Sequence, residues 1–379
     1  MKFHEKSLEL NITHELLNLA DSWYWFLTDI PLWRYWRPRH RLPFLKFPRS
    51  ISGGFHIKTE GKDDPTGEAG GGYDVRIKTG AGNHLLFIQY KKGELVLSSP
   101  DPASEFATAP HDHFEYKINS TKTNQHFTLR NLADGIGKEN GNAVVYAFPL
   151  IADMKELEDN AGKLIRKTKF VSIADIDLQA SLAKVTFVKN KEHCFRIGKF
   201  NMNRCEVNFF FFFFYGTDRT PEIIADIIAL GFSKTLKYFI KTIETNYKEY
   251  RLSEGYIPNG LRQAFIQYIR YLLHYFEVSP SKLNETFREK YVNYFEASEF
   301  AQYDSSERDV NILSAVFTAL TNFEKFIDSV DPNLEKLLTQ EIPQYEPKFL
   351  IRGLDNGIKI NFENQTSLEQ IESINYISI

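Results

Sequence analysis

The chain has 379 residues, enough for two domains that each bury a sizeable core. Its composition, 42% hydrophobic and 25% charged, is that of a globular protein, and 32 Phe with 19 Tyr point to an aromatic-rich interior. A formal net charge of -3 excludes a general nucleic-acid coat protein, although a local basic groove would be hidden in that average.

Residues 1–11 are charged and contain no apolar run of the signal-peptide type. The longest apolar stretch, Val207 to Tyr215, is too short to span a bilayer as a helix. The expectation is therefore a cytoplasmic protein without a membrane partner. Cys194 and Cys205 form no CxxC pair and no zinc spacing; they allow one disulfide, but nothing asks for an oxidising compartment.

In chain order, residues 12–30 read as a helix with an apolar face of Leu16, Leu17, Trp23, Phe26 and Leu27, ended by Pro31. Next comes a basic and aromatic stretch, Trp33 to Arg41, with no acid between Asp29 and Glu60. Arg37, Arg39 and Arg41 are candidate phosphate contacts there. The same composition suits a proline-rich connector packed by its tryptophans, which is the commoner use. A Gly- and Asp-rich loop, 53–72, leads to two strand-like segments, 73–78 and 85–91. A strand at 114–118 carries Lys117, and a helical segment follows at about 124–135. The apolar run 143–148 reads as a buried strand, and 170–173, 185–188 and 207–215 as further strands.

Near residue 216 the pattern changes. Thr220-Pro221-Glu222 is a helix start, with a capping hydroxyl, a first-turn proline and an early acid. That helix runs to about Tyr247 with an interruption at Gly231. A second helix follows Pro258, with Leu261, Phe265, Ile269, Leu272 and Phe276 at helical spacing, and a third spans Ser306 to about Ser329. Asn356-Gly357, between 349–351 and 358–360, signals a hairpin. The reading is an α/β domain over 1–215, with a helical and basic-aromatic extension at its start. A mainly helical domain over 216–379 ends in that hairpin.

The chemistry concentrates in Glu68-Ala69-Gly70-Gly71-Gly72-Tyr73-Asp74 and in Gln89-Tyr90-Lys91. Strand side chains alternate, so Gln89 and Lys91 share a face while Ile88 and Tyr90 take the other. If residues 80–83 close a hairpin with Thr79 opposite His84, Asp74 falls opposite Gln89, and directly opposite Cβ atoms lie about 4.5–5.5 Å apart. A β-bulge would break that count. Asp74 and Gln89 then offer oxygen ligands to a hard cation, and Glu68 can complete the shell. Lys91 cannot ligate a metal while protonated, but it can orient water or neutralise charge building on a phosphate.

This arrangement resembles the PD-(D/E)xK nuclease superfamily, in the Gln-x-Lys variant of Mrr-type restriction endonucleases. The likeness covers roughly residues 50–150. It implies a restriction-endonuclease-like core: a mixed sheet flanked by helices. It further implies Mg²⁺ or Mn²⁺ held by Asp74, Gln89 and Glu68, Lys91 as the catalytic lysine, and phosphodiester hydrolysis, of double-stranded DNA by preference, in a restriction or antiviral defence role. The first acid of that family sits on a helix well before the aspartate, so Glu60 competes with Glu68. By the same resemblance a helix packs behind the catalytic strands, which makes Gln125, His126 and Arg130 candidates to face the scissile phosphate; packing of Phe127, Leu129 and Leu132 with solvated polar residues is the alternative. The helical half would recognise DNA, form a homodimer or bind a protein partner.

Two rival functions remain open on the sequence. One is a non-catalytic nucleic-acid or protein-binding module that keeps the fold. The other is a metal-dependent hydrolase of another phosphate ester. His111-Asp112-His113 places two His at strand spacing without further ligands nearby, a weak metal signal. Gly70-Gly71-Gly72 lacks the Gly-Lys-Ser/Thr of a P-loop, and no GxSxG is present.

Overall fold

The computed structural model describes residues 4–28, 51–55, 84–97, 112–119, 124–135, 141–182, 184–199, 202, 204–207, 210–213, 218–246, 256–331, 333–352 and 374–378. The chain divides into two compact units. One comprises Met1–Glu15, Ile51–Thr220 and Phe349–Ser378; the other comprises Leu16–Ser50, Pro221–Lys348 and Ile379. The first is mixed α/β and the second is helical. No helix among the described residues is long and apolar enough to cross a membrane.

In the α/β unit, β1 (Ile51–Phe55), β2 (His84–Tyr90), β5 (Val144–Pro149), β6 (Thr168–Ser172), β10 (Ile351–Arg352) and β11 (Ile374–Ser378) build a mixed sheet in the order β1-β11-β2-β5-β6, with β10 also on β2. β2 and β5 are parallel, with Gln89 beside Tyr146; the other pairings are antiparallel. Parallel neighbours need a long crossover. The connection here contains β3 (Glu94–Val96), β4 (His113–Asn119) and the helix α2 (Gln125–Gly135). β3 and β4 belong to a second, antiparallel sheet completed by β7 (His193–Gly198), β8 (Arg204–Val207) and β9 (Phe210–Phe213).

Every residue of β5 is buried, as expected of a central strand with both faces covered. One core joins the two sheets and two helices. It takes Phe87, Tyr146 and Phe148 from the mixed sheet and Tyr116, Phe195 and Ile197 from the other. Leu129 and Leu132 come from α2, and Ile173, Ile176 and Ala180 from α4 (Ile173–Leu182).

The opposite face of β2 meets α1 (Glu5–Thr28), where the Tyr90 hydroxyl and Thr13 Oγ1 lie 2.8 Å apart. Further along α1, Glu15 is buried and accepts the backbone N–H groups of Leu164 and Ile165 at 3.0 Å each. A carboxylate thus satisfies donors that would otherwise be orphaned at the start of a helical turn.

The helical unit contains α5 (Thr220–Asn246), α6 (Tyr256–Tyr275), α7 (Glu285–Tyr291), α8 (Glu307–Ser329) and α9 (Leu334–Thr339), with a short α3 (Met154–Asp159) in the other unit. Ser306 caps α8 by accepting from Asp309 N, as its sequence position implies. Trp23 of α1 is fully buried here, stacked on Phe232 with ring centroids 4.3 Å apart.

The expected pairing of 73–78 with 85–91 falls on residues 73–78, which are not described; among the described residues β2 pairs with β11, β10 and β5. Its edge at Leu85–Ile88 carries β11, and the other edge carries β10 and β5. Several other expectations are corrected. The C-terminal segments do not close the helical half: β10 and β11 belong to the mixed sheet, while 358–360 lie outside the described residues.

Residues 185–188 form no strand but a connection in which Val188 N donates to His193 Nε2 at 2.9 Å. The run 207–215 is not one strand either. Among the described residues it is two antiparallel strands, β8 and β9, with Val207 paired to Phe210, and residues 208 and 209 between them lie outside the described residues. Finally, α5 passes through Gly231 unbroken.

Candidate functional site

Gln89 and Lys91 sit at the end of β2. Phe87 belongs to the core on the α2 side of the sheet, and Tyr90 reaches α1 on the other, so alternation puts Gln89 and Lys91 on the Phe87 face. The strand end is pinned on both sides of Lys91: Lys91 N donates to the Ala147 carbonyl at 3.0 Å, and Lys92 N donates to Glu5 Oε2 at 3.0 Å.

Gln89 is 6% exposed. Its Nε2 donates to the Tyr90 carbonyl at 3.1 Å, and its Oε1 is buried without a hydrogen-bond partner among the described residues. Buried polar atoms of this kind are uncommon, because desolvation costs about 1–3 kcal/mol when no partner replaces water. Lys91 is half-buried, and its Nζ donates to Gln125 Oε1 at the first residue of α2.

Three residues expected to face a phosphate lie on α2, and the structure separates them. Gln125 is buried and meets Lys91. His126 is 0% exposed, so it is neither solvated nor available to nucleic acid. Its Nδ1 lies 3.3 Å from the Tyr146 hydroxyl and its Nε2 lies 2.9 Å from Asp177 Oδ1. The ring stands parallel to Tyr146, with 7° between the planes.

Arg130 is partly exposed, with its guanidinium 5.2 Å from the Phe127 ring centroid. Its Nε donates to Asp177 Oδ2 at 2.6 Å, and a second guanidinium nitrogen donates to Asp177 Oδ1. Burial disfavours a charged imidazole and lowers the His126 pKa; Asp177 opposes that shift but does not overcome it. At Asp177 burial pushes the carboxyl up, yet the hydrogen bonds and charges of His126 and Arg130 outweigh it and hold the pKa below the usual value.

Asp177 and Tyr146 are the residues that sequence reasoning missed. Asp177 neighbours Ile176 of the buried stripe on α4, so helical spacing marks it as a border residue, but nothing local connects it to α2. Lys117 is exposed on β4 and pairs with Glu192 at 3.1 Å. Cys194 takes part in no disulfide. Burial and the neighbouring Glu115 and Glu192 push its thiol up to about 12, which disfavours the thiolate.

Asp74, Glu68, Glu60, His111, Arg37, Arg39 and Arg41 lie outside the described residues. Among the described residues no group of three or more His, Cys, Asp or Glu is arranged to hold a metal ion. No family model, no curated protein and no solved structure matches the chain.

Proposed function

We propose that the chain is a metal-dependent nuclease hydrolysing phosphodiester bonds, DNA by preference, on a restriction-endonuclease-like core. The observation that carries this reading is the end of β2. An amide oxygen buried without a partner among the described residues, Gln89 Oε1, and the amine of the half-buried Lys91 belong to side chains on one face of a mixed sheet. A hard cation takes carbonyl oxygen as readily as carboxylate oxygen, so the Gln89 oxygen is a donor of the right class. The residues that would hold the ion are Gln89 together with Asp74 and either Glu68 or Glu60, the acids taken from the superfamily resemblance. A bound Mg²⁺ or Mn²⁺ would lower the pKa of water and polarise the phosphate.

Lys91 supplies what a metal ligand cannot. A protonated amine carries three N–H donors, and one of them is used on Gln125. Its positive charge is of the sign that stabilises negative charge developing on a phosphate oxygen or the attacking water. The helical unit would supply DNA recognition, dimerisation or a partner surface, and a defence role follows from the resemblance alone.

The test is cleavage of plasmid DNA with Mg²⁺ or Mn²⁺ by the native chain, Lys91→Ala, Gln89→Ala and Asp74→Ala, with EDTA controls. Loss of cleavage in EDTA and in the Lys91 and Asp74 variants is expected. Cleavage that persists in both variants moves the site elsewhere. DNA binding without cleavage under any metal favours the binding module.

A further inference from the structure

Gln125 meets Lys91 in a way the nuclease reading does not use. The amide is 7% exposed, and its oxygen accepts a hydrogen bond from the lysine amine. The helix carrying it is held in place. The next residue, His126, is locked between Tyr146 and Asp177, and one turn later Arg130 grips the same carboxylate. Tyr146 is in turn the β5 neighbour of Gln89. A closed path therefore runs from Gln89 through Tyr146, His126 and Gln125 back to Lys91, crossing two strands and one helix.

The acceptor is chemically apt. An amide oxygen fixes an ammonium group without cancelling its charge, whereas a carboxylate would form an ion pair and compete with phosphate. We propose that Gln125 is the positioning residue for Lys91, holding its amine in place through a hydrogen bond that does not itself neutralise it. This rests on the nuclease reading for its catalytic consequence, but the Gln125–Lys91 coupling can be measured without any nuclease activity.

The experiment compares the native chain, Gln125→Leu and Gln125→Glu by two readouts. The first is the rate at which an amine-acetylating reagent modifies Lys91, followed by mass spectrometry, with the exposed Lys155 as internal reference. Loss of one charge-assisted hydrogen bond should raise Lys91 labelling about tenfold in Gln125→Leu. In Gln125→Glu, which keeps an acceptor, labelling should remain slow. The second readout is steady-state cleavage. Gln125→Leu should lower kcat by about 100-fold with KM held, as expected of a displaced catalytic group.

A residue that only supports the fold would shift thermal stability without changing Lys91 labelling relative to Lys155, and that result overturns the proposal. So does a native kcat in Gln125→Leu, or equal labelling in the Leu and Glu variants. Should the native chain cleave nothing while the labelling pattern appears as expected, the coupling stands and the nuclease reading fails. If Gln125→Leu does not fold, Gln125→Asn, one methylene shorter, replaces it in both readouts with the same expected direction.

Discussion

His126 of α2 and Asp177 of α4 meet with Nε2 and Oδ1 2.9 Å apart, and the imidazole is completely buried. The carboxylate also accepts from Arg130, so one acid joins two residues of α2 to α4. Removing it strands a buried ring nitrogen and a guanidinium at once. Asp177→Ala should cost about 2–3 kcal/mol, a figure already reduced for the partial exposure of Asp177 and Arg130. Asp177→Asn, which keeps one carbonyl acceptor for the imidazole, should cost less. Urea denaturation of the two variants measures the difference; equal stability of the native chain and Asp177→Ala would show that the pair contributes nothing net.

The same pair sets a pH dependence. The His126 pKa is lowered below its ordinary 6.5 in the folded chain, so the unfolded chain binds a proton more readily. Stability is then full above about 6.5 and declines as pH falls from there toward the folded value. His193 is shifted in the same direction, chiefly by burial, and adds to the effect. Asp177 acts lower on the scale: its pKa is depressed, so its contribution is present above its ordinary 3.8 and lost as pH falls through its folded value. Each titrating proton gives at most about 1.4 kcal/mol per pH unit. Melting temperature against pH between 5 and 7.5 should fall on the acid side, with a smaller slope in His126→Gln. An unchanged slope in that variant would exclude His126 as the titrating group.

How much of this was legible in the sequence depends on how local each cause is. Alternation along 85–91 puts Gln89 and Lys91 on one face, because that periodicity is a property of one strand. The neighbours of that strand were not legible: Leu85–Ile88 pairs with 375–378, from the far end of the chain, and no local pattern encodes such a partner. His126 reads as a polar helix position because Asp177, which compensates its burial, lies on another helix. The β8–β9 hairpin was hidden for the opposite reason. Its nearly continuous apolar composition suggested one strand, and an apolar run does not say where a strand folds back on itself.

Gly231 illustrates a residue whose role reverses between sequence and structure. A glycine inside a helical pattern reads as a break, since it costs about 1 kcal/mol relative to alanine. In α5 the helix is continuous, and a Cβ at this position would lie 1.8 Å from the Ala20 carbonyl oxygen of α1. The glycine is there for close backbone approach, and backbone cannot move aside as a side chain can. Gly231→Ala should therefore destabilise by about 3 kcal/mol or more despite the better helix propensity of alanine. Gly162, whose added Cβ would meet nothing, is the control site for the crowding term, although its φ of +81° brings a backbone penalty of its own. A stable Gly231→Ala, read by thermal unfolding, would mean the two helices separate at no cost.

Gln89 offers a test of the metal reading that needs no substrate. Its Oε1 is buried without a hydrogen-bond partner among the described residues, so replacing the amide with a carboxylate puts a negative charge in a desolvated place. Without a metal cation, Gln89→Glu should lower the melting temperature at neutral pH, because burying a carboxylate costs desolvation. With a cation bound at the site, the carboxylate becomes the better ligand. Mn²⁺ should then raise the melting temperature of Gln89→Glu more than that of the native chain. A ligand at 100 times its Kd stabilises by about 2.7 kcal/mol. For a domain of 150–250 residues each kcal/mol corresponds to a shift of about 2–4 °C. If Mn²⁺ moves neither protein, Gln89 is not a metal ligand, and the orphaned oxygen has to be explained by packing alone.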